Sequence, residues 1–400
     1  MRSIKLVTYI LHTALVVVSL FSCRHDNYSV MVGDKTIICY MPAENSLAGS
    51  IRSDVDEMVK ASYMLGEKDR IVVYYDGTSN PEIYVIDKYT NASSLRDLTP
   101  VYKYSKNENS CSKDVMKSVF RYICNNYPAN TYGLIFNSHG SSWLPPLRSL
   151  SSMSRKRAFG VDNGKNTYDN AGDEMHIADL AEAIKTLPHL DFILFDLCYM
   201  QSVEVVYELR NCADYIIGSP AEIPGEGAPY DKIMPMLVAK PFNYSYLIYT
   251  YDEEYKGWAS YSDTGVALSA VRCDKLDSLK IVTKQMMTKY ADSIEECKTN
   301  GTTNYLRCYY GGYYQTGFYD IKDMMYHMLD KVDYAEWLSV FKMAVPYYCV
   351  AQRLYSLSNE GSNYVITNPK TCGALAISLS PDDKETKSII AEYESLEWGK

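Results

Sequence analysis

Two residues of this chain stand where covalent chemistry is possible. They are His139, in Leu134-Ile135-Phe136-Asn137-Ser138-His139-Gly140, and Cys198, in Phe195-Asp196-Leu197-Cys198. A thiol attacks a carbonyl as its thiolate, needs an imidazole to carry the proton, and needs donors for the oxyanion that forms. Cys198 follows an apolar run and precedes a helical one, so a helix dipole is expected to favour its thiolate. His139 is followed by Gly140, whose amide no side chain obstructs. Either residue alone has a plainer reading, because strand-end histidines are commonly structural and cysteines after apolar runs commonly belong to the core. Together they supply a nucleophile, a proton carrier and an oxyanion donor. The other histidines suit the role less: His12 and His25 lie in or beside the leader, and His176, His189 and His327 fall in helix or loop settings.

Regular elements must position these side chains. Thr36–Met41 reads as a buried strand, with Pro42-Ala43-Glu44-Asn45-Ser46 as the loop after it. In Ile51–Met64 the residues Val55, Met58, Val59 and Tyr63 recur at helical spacing. Arg70–Tyr75 and Glu82–Asp87 read as strands, and Ser112–Asn126 as a helix capped by Ser112. Then come a strand (Tyr132–Phe136) leading to His139, a helix (Ile177–Thr186), and a strand (Asp191–Phe195) leading to Cys198. A helix (Ser202–Cys212) and a strand (Tyr215–Gly218) follow. This alternation predicts an α/β fold with a largely parallel sheet covered on both faces. In open sheets of that kind sites form at the carboxyl ends of strands, where His139 and Cys198 both stand. Trp143–Asn166 and Ile223–Pro229 read as exposed loops. Beyond residue 236 the pattern predicts a strand (Val266–Val271), a long helix (Ser278–Cys297), more helices to about Arg353, and a strand (Ala374–Leu379).

The blocks Leu134 to Trp143 and Phe195-Asp196-Leu197-Cys198-Tyr199-Met200 resemble the two catalytic motifs of the clostripain-type cysteine peptidases, in the clan of caspases, legumains and gingipains. Tyr40-Met41-Pro42-Ala43-Glu44-Asn45-Ser46-Leu47 is similar to that family's opening strand and loop. Glu204–Ser219 resembles its helix and strand after the cysteine, Pro224–Tyr230 its Pro-Gly-x-Gly loop, and Gly373–Pro381 its closing strand, so the likeness covers residues 36–381. It implies a caspase-like sheet, endopeptidase activity, and a His139–Cys198 dyad without an obligatory third member, to which the pattern beyond residue 236 adds a mostly helical C-terminal part. Gly140 and Cys198 would give the oxyanion-hole amides.

Asp196 matches an acidic position associated with a basic side chain before the scissile bond; its plainer reading is a cap on the next helix. Glu226 is a second candidate carboxylate for that pocket, or a solvated loop charge. Two carboxylates suit arginine or lysine, since a guanidinium fork pairs with both. Leu197 stands where the family usually has alanine and Pro220 where an acidic residue is common, which leaves specificity more open than activity. Members of the clan are often matured by a cut between the histidine and cysteine strands. Here Arg148, Arg155, Lys156 and Arg157 lie in that interval, as self-cleavage sites or as an exposed basic loop. The residues call for no cofactor and no metal. Some relatives use calcium, which stays open although no spaced-carboxylate calcium loop is present.

The chain has 400 residues and a net charge of −9, against nucleic acid as a main partner. Arg2 and Lys5 precede an apolar stretch from Leu6 to Phe21, and Leu20-Phe21-Ser22-Cys23 resembles a bacterial lipobox. The expected organisation is a signal peptide over 1–22, a tether over 23–35, a catalytic core over 36–235, and a C-terminal part over 236–400 that completes the sheet. The mature protein would be exported to the cell envelope and held to a membrane by lipid on Cys23, with a protein or peptide as substrate. Of the 11 cysteines, setting aside Cys23 and Cys198 leaves an odd number. Cys39 reads as a small buried hydrophobe, and bridges among Cys273, Cys297, Cys308, Cys349 and Cys372 cannot be paired from spacing. The competing function is a catalytically inactive surface lipoprotein that keeps this fold to bind peptide or glycan. A metal-dependent hydrolase has only Asp173, Glu174 and His176 near one another, with no second ligand cluster.

Overall fold

The computed structural model describes residues 31–144, 159–164, 172–256, 265–299, 301–310, 314–356, 364–379 and 387–400. The leader, Cys23 and the basic residues Arg148, Arg155, Lys156 and Arg157 lie outside them.

The apolar runs form one nine-stranded sheet. Its strands are β1 (Gly33–Pro42), β2 (Arg70–Asp76), β3 (Glu82–Asp87), β4 (Tyr102–Lys103) and β5 (Ala129–Asn137). After a two-stranded ribbon of β6 (Phe159–Asp162) and β7 (Asp173–Met175), the sheet takes β8 (Leu190–Asp196), β9 (Ala213–Gly218) and β10 (Ala267–Arg272). A hairpin of β11 (Asn304–Tyr310) and β12 (Tyr314–Asp320) precedes β13 (Tyr347–Val350), which completes the order β13-β10-β9-β8-β5-β1-β2-β3-β4. The five central strands, β2 to β9 in that order, pair parallel; the two strands at either edge pair antiparallel. The short ribbon of β14 (Arg353–Tyr355) and β15 (Tyr364–Ile366) follows, and β16 (Ala376–Leu379) ends the strands.

Alternation along each strand divides the core in two. Ile38 and Tyr40 of β1, Leu134 and Phe136 of β5, and Ile193 and Phe195 of β8 face one layer. Ile37, Cys39 and Met41, Ile135, and Phe192 and Leu194 face the other. The first layer is covered by α2 (Lys113–Asn126), α3 (Ile177–Ile184), α4 (Val203–Glu208), α7 (Leu276–Lys289), α9 (Ile321–Met328) and α10 (Lys331–Ala344). The second is covered by α1 (Ala48–Lys60), α5 (Tyr230–Val238) and α6 (Tyr244–Lys256). Both faces of a parallel sheet are thereby dry, which its near-continuous apolar strands require.

Several expectations need correction. The long helix expected over Ser278–Cys297 breaks at Tyr290, and α8 (Ile294–Thr299) follows as a separate piece. The C-terminal part is not helical up to Arg353, because β11 and β12 form a hairpin within it. The strand near residue 376 does not close the main sheet; β16 pairs with β12 in a small three-stranded sheet, and α11 (Lys387–Ser395) follows. Ser112 occupies the N-cap of α2 without a side-chain capping bond. Trp143 and Leu144, read as loop, are buried, as is β6. Their large apolar side chains outweigh the polar composition around them. Cys39 is fully buried, as expected, and the described cysteines whose side chains are placed are free thiols. No helix among the described residues is long and apolar enough to cross a membrane.

Candidate active site

β5 and β8 are parallel neighbours, with Asn137 opposite Asp196 in their last rung. His139 and Cys198 each lie two residues beyond that rung, so equal overhangs from paired strands bring them to the same edge. The two turns touch. A Cβ on Gly140 would stand 2.6 Å from the Cys198 carbonyl oxygen and 3.1 Å from Leu197 Cβ, so the glycine permits a contact that a side chain would block. The Gly140 N–H donates no hydrogen bond among the described residues.

The cysteine turn is strained. Tyr199, directly after Cys198, has φ +64°, a left-handed conformation that costs a bulky residue roughly 1–3 kcal/mol. Tyr199 N–H donates to Ala221 O at 3.1 Å and Gln201 N–H to Ser219 O at 3.0 Å, which hold it there. The helix expected at Ser202 is only the six residues of α4, starting at Val203, too far from Cys198 to favour its thiolate through a dipole. Burial instead pushes the Cys198 thiol up to about 12, opposed by the Ile223 N–H 3.4 Å from Sγ and reinforced by Glu222 and Asp196. Burial thus favours the protonated thiol over the thiolate.

His139 is partly exposed, and its Nε2 lies 3.1 Å from Ser46 Oγ. Its carbonyl accepts from Gly160 N–H of β6 at 2.9 Å. The remaining described histidines are engaged elsewhere. His176 caps α3 through Ala178 N–H and bonds Glu392, His189 pairs with Asp214, and His327 with Asp323.

Asp196 is only 3% exposed and does not cap α4, whose cap is Ser202. It accepts from Tyr251 OH at 2.9 Å, Tyr230 OH and Ala228 N–H at 3.0 Å, and Asn137 Nδ2 at 3.3 Å. Three of those donors meet Oδ2 and one meets Oδ1, and together they pin the Gly227 loop, itself at φ +64°, onto the strand end. Burial still raises the Asp196 carboxyl above its ordinary range. Asn137 uses the same amide nitrogen to bond Asp54 of α1 at 2.6 Å. Asp54 is 2% exposed, and burial, Asp196, Glu57 and Glu226 push its carboxyl well up, against the Asn137 bond. Glu57 caps the start of α5 through Tyr230 N–H at 3.0 Å, while Glu226 is exposed. Tyr355 of β14 also reaches this neighbourhood: burial, then Glu222, Glu226 and Cys198, raise its phenol. Neither Asp54 nor Tyr355 carries a motif. Asp54 is detectable only as a charge on the apolar face of an amphipathic helix.

A second acidic group lies at the same end of the sheet. Carboxylate oxygens of Glu44, Asp76 and Asp162 are all within 4.8 Å of one another, and all three residues are buried. Ser110 links Asp76 through its hydroxyl and Asp162 through its N–H at 2.6 Å, and Asn107 Nδ2 donates to Glu44 at 3.2 Å. This is the one three-ligand group among the described residues, and its all-oxygen composition suits a hard cation such as calcium. Asp173, Glu174 and His176 do not form one.

The sequence matches the clostripain family over residues 39–399, and the chain belongs to that family of cysteine-type peptidases. It is 26% identical over 226 residues to clostripain of Hathewaya histolytica, a match covering 51% of this chain and 42% of that protein's length. It is similar to the X-ray structure of a secreted cysteine protease from Bacteroides thetaiotaomicron in complex with an irreversible peptide inhibitor. The identity is 28%, with 92% of this chain and 98% of that chain covered and a TM-score of 0.73. An inactive zymogen protease from Parabacteroides distasonis is 26% identical, with 92% and 97% covered and a TM-score of 0.72.

Proposed function

We propose that this protein is an exported cysteine endopeptidase in which Cys198 is the nucleophile and His139 the proton carrier, acting after arginine or lysine. The observation that carries the reading is the matched overhang of the two residues from the Asn137–Asp196 rung, with Gly140 packed on the cysteine turn. His139 takes the thiol proton as sulfur attacks the scissile carbonyl carbon. The oxyanion is held by the Gly140 and Cys198 amides, and His139 returns the proton to the leaving amine. Water then hydrolyses the thioester, releasing the acid and restoring the thiol.

Basic specificity is supported by negative charge near the site. Asp196, with its own donors already in place, acts by its field and by holding the loop that carries Glu226. Asp54, whose raised carboxyl the approach of a substrate guanidinium would favour ionising, adds a second acidic group. The relative from Parabacteroides distasonis is described as an inactive zymogen, which favours maturation by a cut among Arg148, Arg155, Lys156 and Arg157. Lipid on Cys23 would retain the exported protein at the envelope.

The test is hydrolysis of fluorogenic arginyl, lysyl and alanyl peptides, with and without a thiol alkylating agent. Intact masses of wild type and Cys198→Ala follow the maturation cut. Alkylation-sensitive cleavage confined to basic peptides is expected; cleavage that survives alkylation, or prefers alanine, would refute the mechanism or the specificity respectively.

A further inference from the structure

We propose that Gln201 is the positioning residue of Cys198: its side-chain amide anchors the end of the cysteine turn to β9 and β10 and, through Ser269, to the loop before β16. The inference rests on the reading of Cys198 as the nucleophile. It starts from three contacts of a fully buried side chain. Gln201 Nε2 lies 3.2 Å from Ile216 O, 3.0 Å from Ser269 O and 3.1 Å from Ser269 Oγ. Two of these partners are backbone carbonyls, which only accept, so the amide nitrogen has to face them.

The stretch from Cys198 to Gln201 belongs to no helix and to no strand of a sheet. It lies instead along the segment that follows β9, through Tyr199 N–H to Ala221 O and Gln201 N–H to Ser219 O. Ser219 stiffens that segment, its hydroxyl donating to Ala221 O at 2.9 Å and accepting Ala221 N–H at 3.1 Å. Two residues on, Ile223 N–H meets Cys198 Sγ at 3.4 Å. The sulfur's donor therefore depends on how the two stretches are aligned, and Gln201 fixes that alignment at its far end. Gly218 leaves space for the amide, since a Cβ there would stand 3.1 Å from Gln201 Oε1.

Ser269 carries the anchor into the C-terminal part. Its hydroxyl donates to Ala374 O at 2.6 Å, which leaves its oxygen to accept from Gln201. Ala374 has φ +52° and is held by Asp320, which accepts Gly373 N–H at 2.9 Å and Ala374 N–H at 3.0 Å. Ala376 N–H, two residues on, donates to Gln201 O at 3.0 Å, so backbone and side chain of Gln201 are both tied to this loop. A strained residue such as Tyr199 keeps its conformation only while ties of this kind over-determine it. Without the amide the turn relaxes and the sulfur shifts against the scissile carbon, and a displacement of about 1 Å can cost about a hundredfold in rate.

The experiment compares wild type, Gln201→Met, Ser269→Ala, the double variant and Cys198→Ala. It measures kcat and KM on arginyl peptides, denaturation midpoints, and the pH dependence of Cys198 alkylation by iodoacetamide, followed by the mass of the peptide that carries it. Gln201→Met fills the same space without donors and is expected to lower kcat about ten- to a hundredfold with KM little changed. Its alkylation midpoint should rise, because the sulfur loses the Ile223 N–H that favours the thiolate against Glu222 and Asp196. Ser269→Ala should lower kcat about fivefold, and the double variant should lose no more than Gln201→Met alone, since both break one chain of bonds. Wild-type kcat and midpoint in Gln201→Met overturn the proposal, as does a loss of kcat that follows the folded fraction at an unchanged midpoint. If Gln201→Met does not fold, Ser269→Ala decides by the same two readings. An active Cys198→Ala enzyme would instead refute the nucleophile; the alkylation profiles need no substrate and decide the hold of Gln201 on the cysteine whichever way that falls.

Discussion

The two ends of the parallel sheet are built on opposite terms. At the amino ends of β8 and β9 lies an open pocket of about 550 Å³ lined by His189, Arg210, Asp214, Arg272, Asp274 and Asp277. Its polar groups are paired: His189 with Asp214 at 2.9 Å, Arg210 with Asp277 at 3.3 Å, and Arg272 with Asp274 at 2.9 Å. At the carboxyl ends the backbone takes left-handed conformations at Ser142 and Tyr199, burial raises the Cys198 thiol, and buried carboxylates crowd one another. Exposed ion pairs cost the fold little and contribute little. Strained turns and crowded buried carboxylates persist only where the surrounding structure imposes them, and here they surround His139 and Cys198.

The largest effects are therefore expected at the carboxyl end. Cys198→Ala and His139→Ala should each lower peptide hydrolysis at least about a thousandfold without loss of the fold, because in the proposed mechanism nucleophile and proton carrier act as one unit. Activity assays beside thermal denaturation check this; a Cys198→Ala protein near wild-type activity ends the assignment. Asp54→Asn should lower kcat/KM for arginyl peptides roughly ten- to a hundredfold and leave any cleavage of neutral peptides unchanged. Asp196→Asn should weaken cleavage of arginyl peptides and also destabilise by about 1–3 kcal/mol, since an amide NH₂ would face donors that now meet a carboxylate oxygen. Equal losses on basic and neutral peptides for Asp54→Asn would make Asp54 structural.

Glu204 sharpens the same contrast through pH. It is fully buried in α4 and accepts Ser378 N–H at 2.8 Å, and burial pushes its carboxyl from an ordinary 4.5 to about 7. The folded protein keeps the proton in a window where the unfolded chain has lost it. Its contribution to stability is present in full below the unfolded value, declines as pH rises through the window, and is gone above about 7. Glu204→Gln has no charge to bury. It should stabilise the protein by up to about 3 kcal/mol above that window, at about 1.4 kcal/mol per unit, and by nearly nothing at the acid end. Denaturant midpoints at the two extremes measure the difference; a gain that does not depend on pH would show that the glutamate is charged throughout or never.

What could be read in the sequence follows from what is local. The strands to His139 and Cys198 are short apolar runs with turn residues at their ends, so their type and order were legible, and the strand-end rule placed the pair. The thiol's environment was not legible. Val203–Glu208 is apolar and helix-like in pattern, but nothing local says that the chain turns through a left-handed Tyr199 before entering it. Asp54, Ser46 and Tyr355 reach the site from α1, from the loop after β1, and from β14, each brought there by packing across layers. Glu44, Asp76 and Asp162 likewise come from three separate segments, which is why no calcium-loop spacing betrays them. The hairpin β11–β12 was missed because tyrosine-rich stretches fit helix and strand alike, and only pairing decides between them.

The smallest effect is expected at the amino end, and it tests the comparison from the other side. Arg272 donates through both Nε and Nη2 to Asp274, two residues along the chain, and both side chains are more than a third exposed. A pair so open to water is screened and should stabilise the fold by no more than roughly 0.5 kcal/mol. The pocket it lines is far from the strand ends that carry His139 and Cys198, and no charge there is left to bind a substrate's opposite one. Arg272→Ala should therefore leave kcat and KM for arginyl peptides unchanged and shift the denaturation midpoint by an amount that moderate salt already removes. The measurement is a denaturation curve at low and high salt beside the peptide assay. A large, salt-insensitive loss of stability would mean that the guanidinium is held by packing on its neighbours, and a loss of activity would mean that the two ends of the sheet communicate; either result would break the division between a functional end and a merely balanced one.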